Sequence, residues 1–235
     1  MIYVSSDWHG YAPEKIKELL KKANFGPDDY LFVLGDVIDR GPHGIELLKY
    51  IMYEPNIELI RGNHEDLMLS CSFLLDEITD ESLNALDARS ISSYNTWYKN
   101  GGCETINAIL KESPEMRQDI LRFVSETPLY DTVSVGERDF ILVHGGLGRN
   151  AYGHALMPEE CSEFELLWNR PQPGYRYFED ILTIIGHTPT ICYGPQYKGR
   201  IFKTDTWWNI DTGAAGGFPP MLLCLDDLTE YYLEK

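Results

Sequence analysis

Residues 30–41 read YLFVLGDVIDRG, an apolar run that stops at a glycine followed by aspartates and an arginine. Such a run, ending in a polar, glycine-punctuated turn, is typical of a buried strand that leads into a loop. Further strand-like runs lie at 2–6 and 57–60, and helical patterns fall near Pro13–Ala23, from His43 to Met52 and over Asp66–Leu75. This alternation predicts a βαβαβ start with a parallel sheet and right-handed crossovers.

Metal-capable side chains follow five apolar runs of the chain. The motifs are DWHG at 7–10, GDVIDRG at 35–41, RGNHE at 61–65, HGG at 144–146 and GHTP at 186–189. In open α/β sheets, ligands bind outside the carboxyl ends of the strands. We therefore expect one rim of the fold to collect Asp7, His9, Asp36, Asn63, His144 and His187.

The middle and the end of the chain have a different pattern. Residues 77–128 lose the strand-like runs and predict a helical insertion of three or four helices, within one domain spanning 1–235. A hairpin is predicted over 132–143 and a short helix near Pro158–Trp168. The tail suggests strands that form a second, mixed or antiparallel sheet, near Arg200–Lys203, Thr206–Ile210, Met221–Leu225 and Glu230–Leu233.

Composition narrows the class of protein. The chain has 235 residues, 43% of them hydrophobic, and a formal net charge of −17, which disfavours nucleic acid and anionic membranes as partners. No apolar run has the length of a membrane span, and the chain starts with a strand pattern rather than a signal peptide, so we expect a cytoplasmic protein. Its five scattered cysteines predict reduced thiols.

The donor types indicate two metal ions. Aspartate, asparagine and histidine suit manganese, iron or zinc, and six donors are too many for one tetrahedral zinc with an open position. Asp7 and His9 could hold one ion, and Asn63, His144 and His187 a second, with Asp36 as the bridge. Two such ions would clamp both oxygens of a phosphoryl displacement, with a hydroxide between them as nucleophile.

The neighbouring residues suggest the remaining chemistry. His64 is the candidate acid that protonates the leaving group, and Asp39 would orient it. Arg40 and Arg61 flank the metal motifs, and a guanidinium matches phosphate bidentately, so both are predicted to bind phosphate. Asp211, followed by Thr212 and Gly213, reads as a turn.

The five motifs in this order resemble the signature of the metallophosphoesterases. More narrowly, they resemble the serine/threonine protein phosphatase branch with its small bacterial and bacteriophage lambda phosphatase-like members. The resemblance implies a four-layer αββα sandwich, the calcineurin-like fold, around two metals. It assigns Asp7, His9 and Asp36 to one metal and Asp36, Asn63, His144 and His187 to the other. It makes His64 and Asp39 the acid dyad, and Arg170 matches a third phosphate-binding arginine.

Three functions remain open from the sequence. The leading hypothesis is metal-dependent hydrolysis of phosphomonoesters on phosphoserine or phosphothreonine, with phosphotyrosine also open, in proteins or peptides. The second keeps the site but takes a small phosphorylated nucleotide, a dinucleoside polyphosphate such as diadenosine tetraphosphate. The third is an inactive binding scaffold, which the complete ligand set argues against. The oligomeric state is not assigned by the sequence.

Overall fold

The computed structural model describes residues 1–75 and 87–234. The α-helices of these residues are α1 Pro13–Lys22, α2 Gly44–Tyr53, α3 Asn63–Ser70, α4 Ala88–Lys99, α5 Cys103–Ile109, α6 Pro114–Glu126 and α7 Glu163–Trp168. The strands are β1 Ile2–Ser5, β2 Tyr30–Leu34, β3 Ile57–Ile60, β4 Tyr130–Val135, β5 Arg138–Val143, β6 Ile181–Ile185, β7 Phe202–Lys203, β8 Trp207–Asn209, β9 Leu222–Cys224 and β10 Glu230–Tyr231.

Within the described ranges these strands form two five-stranded sheets. The first has the order β10-β9-β1-β2-β3, and β1, β2 and β3 are parallel, as the βαβαβ pattern predicts. The second has the order β4-β5-β6-β8-β7, in which β5, β6 and β8 are parallel and the two edge strands are antiparallel to their neighbours. Both sheets are therefore mixed.

Alternation along the strands divides the apolar side chains between layers. Val4, Phe32 and Leu34 point into a cluster between the sheets, where they meet residues such as Phe140 and Ile184. Their neighbours Tyr3, Leu31 and Val33 pack against α1, α2 and the helices of 88–126. On the far side of the second sheet, Ile141 and Val143 pack against Leu166 of α7. The layers are thus helix, sheet, sheet and helix, the expected four-layer sandwich.

The tail corrects one expectation. Strands β7 and β8 join the second sheet as predicted, but β9 and β10 belong to the first sheet, where Val4 pairs with Leu223 in antiparallel register. Both faces of β9 are buried, so it completes the core beside β1 rather than extending the second sheet.

Helix bounds differ from the predictions at two places. Helix α3 begins at Asn63 instead of Asp66 and ends at Ser70, because the Glu65 carboxylate accepts the Gly62 N–H at 3.0 Å and starts the helix at the end of the strand. The helix expected over Pro158–Trp168 is split, since the Ser162 side chain caps α7 by accepting the Glu165 N–H.

Three helices, α4, α5 and α6, occupy the described part of the predicted insertion. Residues 77–86 of that prediction lie outside the described residues. Trp97, Ile109, Ile120 and Val124 of these helices are fully buried in the core beneath the first sheet. The helices therefore pack beside α2 and α3, near the strand ends that carry the motifs. In the part of the chain described, no helix has the length and apolarity needed to cross a bilayer.

Candidate metal centre and catalytic site

The loops after the strands hold the predicted ligands in unusual backbone conformations. Among the described residues, eight other than glycine have positive φ, and six of them are site candidates, namely Asp7, His9, Asp36, Asp39, Arg40 and His187. Positive φ favours glycine, and each residue other than glycine in this conformation costs about 1–3 kcal/mol of folding free energy. Contacts with the surrounding structure must therefore hold these loops in the strained conformation, as is typical of functional sites.

Backbone hydrogen bonds tie the first two loops together. The His9 N–H donates to the Asp36 carbonyl at 2.8 Å, and the Gly10 N–H donates to the Val37 carbonyl at 2.7 Å. Close approach is also required at Gly35, where a Cβ would lie 2.3 Å from the Gly62 Cα. The ends of β1, β2 and β3 thus converge, as the sequence predicts.

Glu65 is fully buried and binds the backbone of two of these loops. Its carboxylate accepts N–H groups from Asp36 and Val37 at 2.8 Å each, from Ile38 at 3.3 Å and from Gly62 at 3.0 Å. Four donors on one buried carboxylate fix the loop that carries Asp36 against the start of α3.

The Asp36 carboxylate lies between two groups of imidazoles. Its Oδ1 is 3.3 Å from His144 Nε2, and its Oδ2 is 3.6 Å from His9 Nε2 and 3.7 Å from His64 Nε2. The Asn63 Oδ1 lies 2.9 Å from His144 Nε2. Asp36 therefore lies between His144 on one side and His9 and His64 on the other.

The histidines present their Nε2 atoms to this cluster. His9 Nδ1 lies 3.1 Å from the Ile38 carbonyl, and His144 Nδ1 lies 2.7 Å from the Leu34 carbonyl. A carbonyl only accepts, so each Nδ1 carries the hydrogen and the Nε2 faces the carboxylates. His187 Nε2 is buried and has no hydrogen-bond partner among the described residues.

Asp7 sits behind this cluster and is almost completely buried. Its carboxylate accepts the His187 N–H at 3.0 Å and a hydrogen bond from the Ser6 hydroxyl, and its Oδ1 is 3.9 Å from His9 Nε2. Asp7 thus joins the loops after β1 and β6.

Burial sets the electrostatics of the site. It raises the pKa of Asp7 to about 7, with the Asp36 charge adding to the effect. It also lowers the pKa of His9 to about 3 and that of His187 to about 2. Burial opposes ionisation of His144 as well, but the Asp36 and Asp7 charges outweigh it and raise that pKa to about 10. Among the described residues, the ion pairs of Asp7 and Asp36 are with imidazoles alone. Bound cations would supply further positive charge beside these buried carboxylates.

The donor atoms fit metal ions. Two sets have their potential ligand atoms within 4.8 Å of one another, His9 with Asp36 and His64, and Asp36 with His144 and His187. The first set includes His64, which the sequence analysis treats as the acid, and leaves out the more distant Asp7. The unpartnered His187 Nε2 and the Asp36 position between both sets are the observations that favour two ions.

His64 and Asp39, the candidate acid and the carboxylate expected to orient it, form a buried pair. His64 Nδ1 lies 2.6 Å from Asp39 Oδ2. Burial lowers the pKa of His64, but the charges of Asp36 and Asp39 outweigh that effect and raise it above the usual value. The insertion helices also contact Asp39, since Trp97 Nε1 donates to Oδ2 at 2.9 Å and the Thr105 hydroxyl donates to Oδ1 at 2.5 Å.

The three predicted arginines differ in their surroundings. Arg40 contacts the cluster, with Nη1 3.0 Å from His9 Nε2 and Nη2 3.1 Å from His64 Nε2. Arg170 Nη1 donates to the Thr188 hydroxyl at 2.9 Å and to the His187 carbonyl at 3.3 Å. Arg61 instead donates Nη2 to the carbonyls of Ser125 and Thr127, at the end of α6, and no hydrogen bond or ion pair of the described residues joins it to the cluster.

Sequence reasoning missed several residues of the site. Asp211 forms the predicted turn, since its Oδ1 accepts the Gly213 N–H at 2.9 Å. It is also buried, and burial together with the nearby Asp7 charge raises its pKa well above the usual value. The Asn209 amide donates to the carbonyls of Gly186 and Thr188, both at 3.0 Å, and so holds the loop of His187. The string NIDTG at 209–213 was the available signal, but its contacts are visible only in the fold.

Two of the curated proteins that are similar to this chain show the range of activities among its relatives. Serine/threonine-protein phosphatase 2 of Salmonella typhimurium is 28% identical over 170 residues, which cover 72% of this chain and 67% of the relative. The symmetrical bis(5'-nucleosyl)-tetraphosphatase of Chromobacterium violaceum is 32% identical over 95 residues, which cover 37% of this chain and 34% of the relative. The second match thus spans about a third of its relative's length.

Structure and family comparisons agree with this likeness. A solved protein serine/threonine phosphatase from Saccharomyces cerevisiae shares the fold, with a TM-score of 0.56 and 16% identity over 100% of this chain and 80% of the other. The sequence model of the calcineurin-like phosphoesterases matches residues 1–210. The chain therefore belongs to the calcineurin-like phosphoesterase family and is a metal-dependent phosphoester hydrolase.

Proposed function

We propose that the chain uses two metal ions to hydrolyse phosphomonoesters, acting as a protein phosphatase on phosphoserine and phosphothreonine. One observation carries the dinuclear site, namely the Asp36 carboxylate with one oxygen 3.3 Å from His144 Nε2 and the other 3.6 Å from His9 Nε2. A carboxylate placed in this way can hold two ions at once. The similarity to a bacterial serine/threonine phosphatase supports the substrate class.

The proposed ligands divide between the two sides of Asp36. Asp7 and His9 would hold one ion with it, and Asn63, His144 and His187 the other. Such a pair of ions supplies Lewis acidity and an activated water for in-line displacement at phosphorus. Manganese is our first choice, with iron or zinc as the other metals that these donors accept.

The chain's own residues supply substrate binding and proton transfer. Arg40 and Arg170 would bind the outer phosphate oxygens from opposite sides of the cluster, since guanidinium donors match phosphate geometry. His64, held by Asp39, would deliver a proton to the departing oxygen. Arg61, also proposed from sequence to bind phosphate, would act by holding the end of α6 against the start of α3.

A second candidate substrate is a dinucleoside tetraphosphate. It is favoured by the similarity to a symmetrical bis(5'-nucleosyl)-tetraphosphatase over 95 residues. The same metal ligands would serve both substrates, so the difference must lie in the walls around the cluster.

The test is hydrolysis by metal-stripped protein reloaded with manganese. It is measured as phosphate release from the monoesters and as nucleotide products from diadenosine tetraphosphate, because symmetrical cleavage of that substrate yields ADP and no free phosphate. The panel holds p-nitrophenyl phosphate, phosphoserine, phosphothreonine and phosphotyrosine peptides, and diadenosine tetraphosphate. We expect turnover of the peptides to exceed that of the nucleotide. The reverse ranking would replace the first candidate with the second.

A second test measures bound metal and activity in a variant of the bridging carboxylate and in a matched control variant. Asp36→Asn keeps the size of the side chain but removes the bridging charge, and we expect it to lose both bound metal and activity. Glu46→Gln, an exposed carboxylate paired with His43, should change neither. Full activity of Asp36→Asn or of the metal-stripped protein would overturn the proposed mechanism.

A further inference from the structure

Beside the metal cluster lies a pocket in which Arg170 is the one lining residue with a role in the proposed reaction. Its volume is about 270 Å³, and it is lined by Leu147, Arg149, Glu165, Asn169, Arg170, Pro171, Tyr175 and Tyr177. Arg170 links it to the cluster, because the same guanidinium contacts the carbonyl of His187 and the hydroxyl of Thr188. A substrate phosphate bound at Arg170 would therefore lie at the mouth of this pocket.

The second arginine of the pocket, Arg149, is a cation without a carboxylate partner. No ion pair of the described residues involves it, although the chain carries a net charge of −17. Its Nε is buried and has no hydrogen-bond partner among those residues. An unpaired donor of this kind is costly. The guanidinium that carries it lines the pocket, and no carboxylate of the described residues neutralises its charge.

The guanidinium of Arg149 is already held in position. Its Cζ stacks 3.7 Å from the centre of the Tyr175 ring, and Nη2 donates to the Arg176 carbonyl at 3.4 Å. Its backbone is held by the β-bridge between Arg149 and Ala155. A pre-positioned guanidinium loses little freedom when it binds an anion.

The opposite wall is also fixed, and it contains one negative charge. Asn169 Nδ2 donates to the Leu147 carbonyl at 3.0 Å, and the Tyr177 hydroxyl accepts the Leu147 N–H at 3.2 Å. Glu165 lines the pocket, but its Oε2 accepts the N–H and hydroxyl of Ser162 at the start of α7. Two cations thus face one carboxylate that is engaged in helix capping.

We propose that this pocket binds a second anionic group of the substrate, with Arg149 as its main contact. The inference rests on the proposed phosphoesterase function and names a specificity site next to it. Ligand pockets for drug-sized molecules measure about 300–1,000 Å³. A volume of about 270 Å³ lies just below that range and accommodates one phosphate or carboxylate with its linking atoms. The group is either an acidic side chain near the phosphorylated residue or a further phosphate of a polyphosphate chain.

The experiment compares substrates that differ in the second anion. One arm uses phosphothreonine peptides with glutamate or glutamine at each flanking position, and the other uses diadenosine tetraphosphate against adenosine monophosphate. p-Nitrophenyl phosphate, with a single anionic group, is the reference. All assays use the manganese-loaded protein and report kcat and KM separately.

Arg149→Gln should lower kcat/KM roughly ten- to hundredfold for the substrates with two anions in at least one arm. The loss should appear mainly in KM, and turnover of p-nitrophenyl phosphate should stay within about twofold. Arg149→Lys should recover part of the preference. The control is Arg138→Gln. Arg138 is the first residue of β5, whereas Arg149 follows the last residue of that strand in the sequence. This substitution also removes a positive charge, and it should leave kcat/KM unchanged for every substrate.

The two arms distinguish a peptide side chain from a polyphosphate as the second anion. The experiment also distinguishes failure of the subsite from failure of the proposed phosphoesterase function. Loss confined to the acidic peptides identifies a peptide side chain, and loss confined to diadenosine tetraphosphate identifies a polyphosphate. An equal loss on p-nitrophenyl phosphate, or no loss in either arm, would overturn the subsite while leaving the phosphoesterase function standing. If the wild-type protein hydrolyses no phosphate ester, the proposed function fails and the subsite falls with it.

Discussion

Trp97 Nε1 donates a 2.9 Å hydrogen bond to Asp39 Oδ2, the same oxygen that lies 2.6 Å from His64 Nδ1. Thr105 completes the arrangement at the other oxygen of Asp39. The helices between β3 and β4 therefore reach into the pair that we propose as the acid. They hold Asp39 in addition to forming a wall beside the cluster.

Trp97→Phe removes one of these donors and keeps the aromatic volume. We expect kcat for phenyl phosphate and phosphopeptides to fall about tenfold, because a loosened Asp39 orients His64 less well. p-Nitrophenyl phosphate has a leaving group that needs little protonation, so its turnover should change much less. The measurement is kcat against leaving-group pKa for a series of aryl phosphates. Trp208→Phe, whose Nε1 donates to the Thr204 carbonyl, is the control. An equal loss on every ester would indicate a structural role instead.

Glu65→Gln should destabilise the protein by about 2–3 kcal/mol, since a neutral amide cannot accept the four buried N–H groups as the carboxylate does. Urea unfolding measures the change. Glu46→Gln, at a side chain that is 60% exposed, should stay within about 0.5 kcal/mol. Equal stability of both variants would contradict the role of Glu65 in fixing the Asp36 loop.

Asn209→Leu should weaken metal binding at the side of the cluster that contains His187. The side chain loses its hydrogen bonds to the carbonyls on either side of that ligand, so the positive-φ loop is less well held. We expect about one metal ion per chain to be lost on dialysis, measured by elemental analysis. Asn56→Leu is a matched control, because Asn56 makes the same pair of carbonyl contacts near the start of β2 and β3. Retention of two ions by Asn209→Leu would refute this role.

Arg40→Lys and Arg61→Lys should differ in effect, because Arg40 contacts the cluster whereas Arg61 contacts backbone carbonyls. Arg40 contacts the imidazoles of the cluster, so loss of its planar donors should lower kcat/KM for p-nitrophenyl phosphate about ten- to hundredfold. Arg61 contacts backbone carbonyls of 125 and 127, so its substitution should lower the unfolding midpoint more than the kinetics. Steady-state kinetics and urea unfolding on both variants decide between these expectations. A kinetic loss for Arg61→Lys as large as that for Arg40→Lys would support the phosphate contact predicted for Arg61 from the sequence.

Manganese should raise the melting temperature of the metal-stripped protein. Buried Asp7 and Asp36 repel each other without cations, and an ion that binds only the folded state adds about 2.7 kcal/mol at a hundredfold excess over Kd. Differential scanning calorimetry with increasing manganese measures the shift. Asp36→Asn should abolish most of it, and an undiminished shift in that variant would place the ions elsewhere.

The amino-acid sequence by itself determined the candidate ligands and the strands that carry them. A short apolar run specifies a strand buried on both faces, and a glycine-punctuated polar turn specifies where the strand stops. For this reason Asp7, Asp36, Asn63 and His144 could be assigned to strand ends before any neighbour was known.

Only the tertiary structure decided which elements meet. The pattern of β9 indicates a buried strand but does not specify its neighbour, and packing placed it beside β1. Asp39 accepts hydrogen bonds from Trp97 and Thr105, which lie 58 and 66 positions further along the sequence. Arg61 contacts the end of α6 at a separation of 66 positions. Such contacts depend on how whole helices pack, and no local periodicity encodes them. The chemistry of the site is thus readable from short motifs, while its support and the pocket of Arg149 arise from long-range packing.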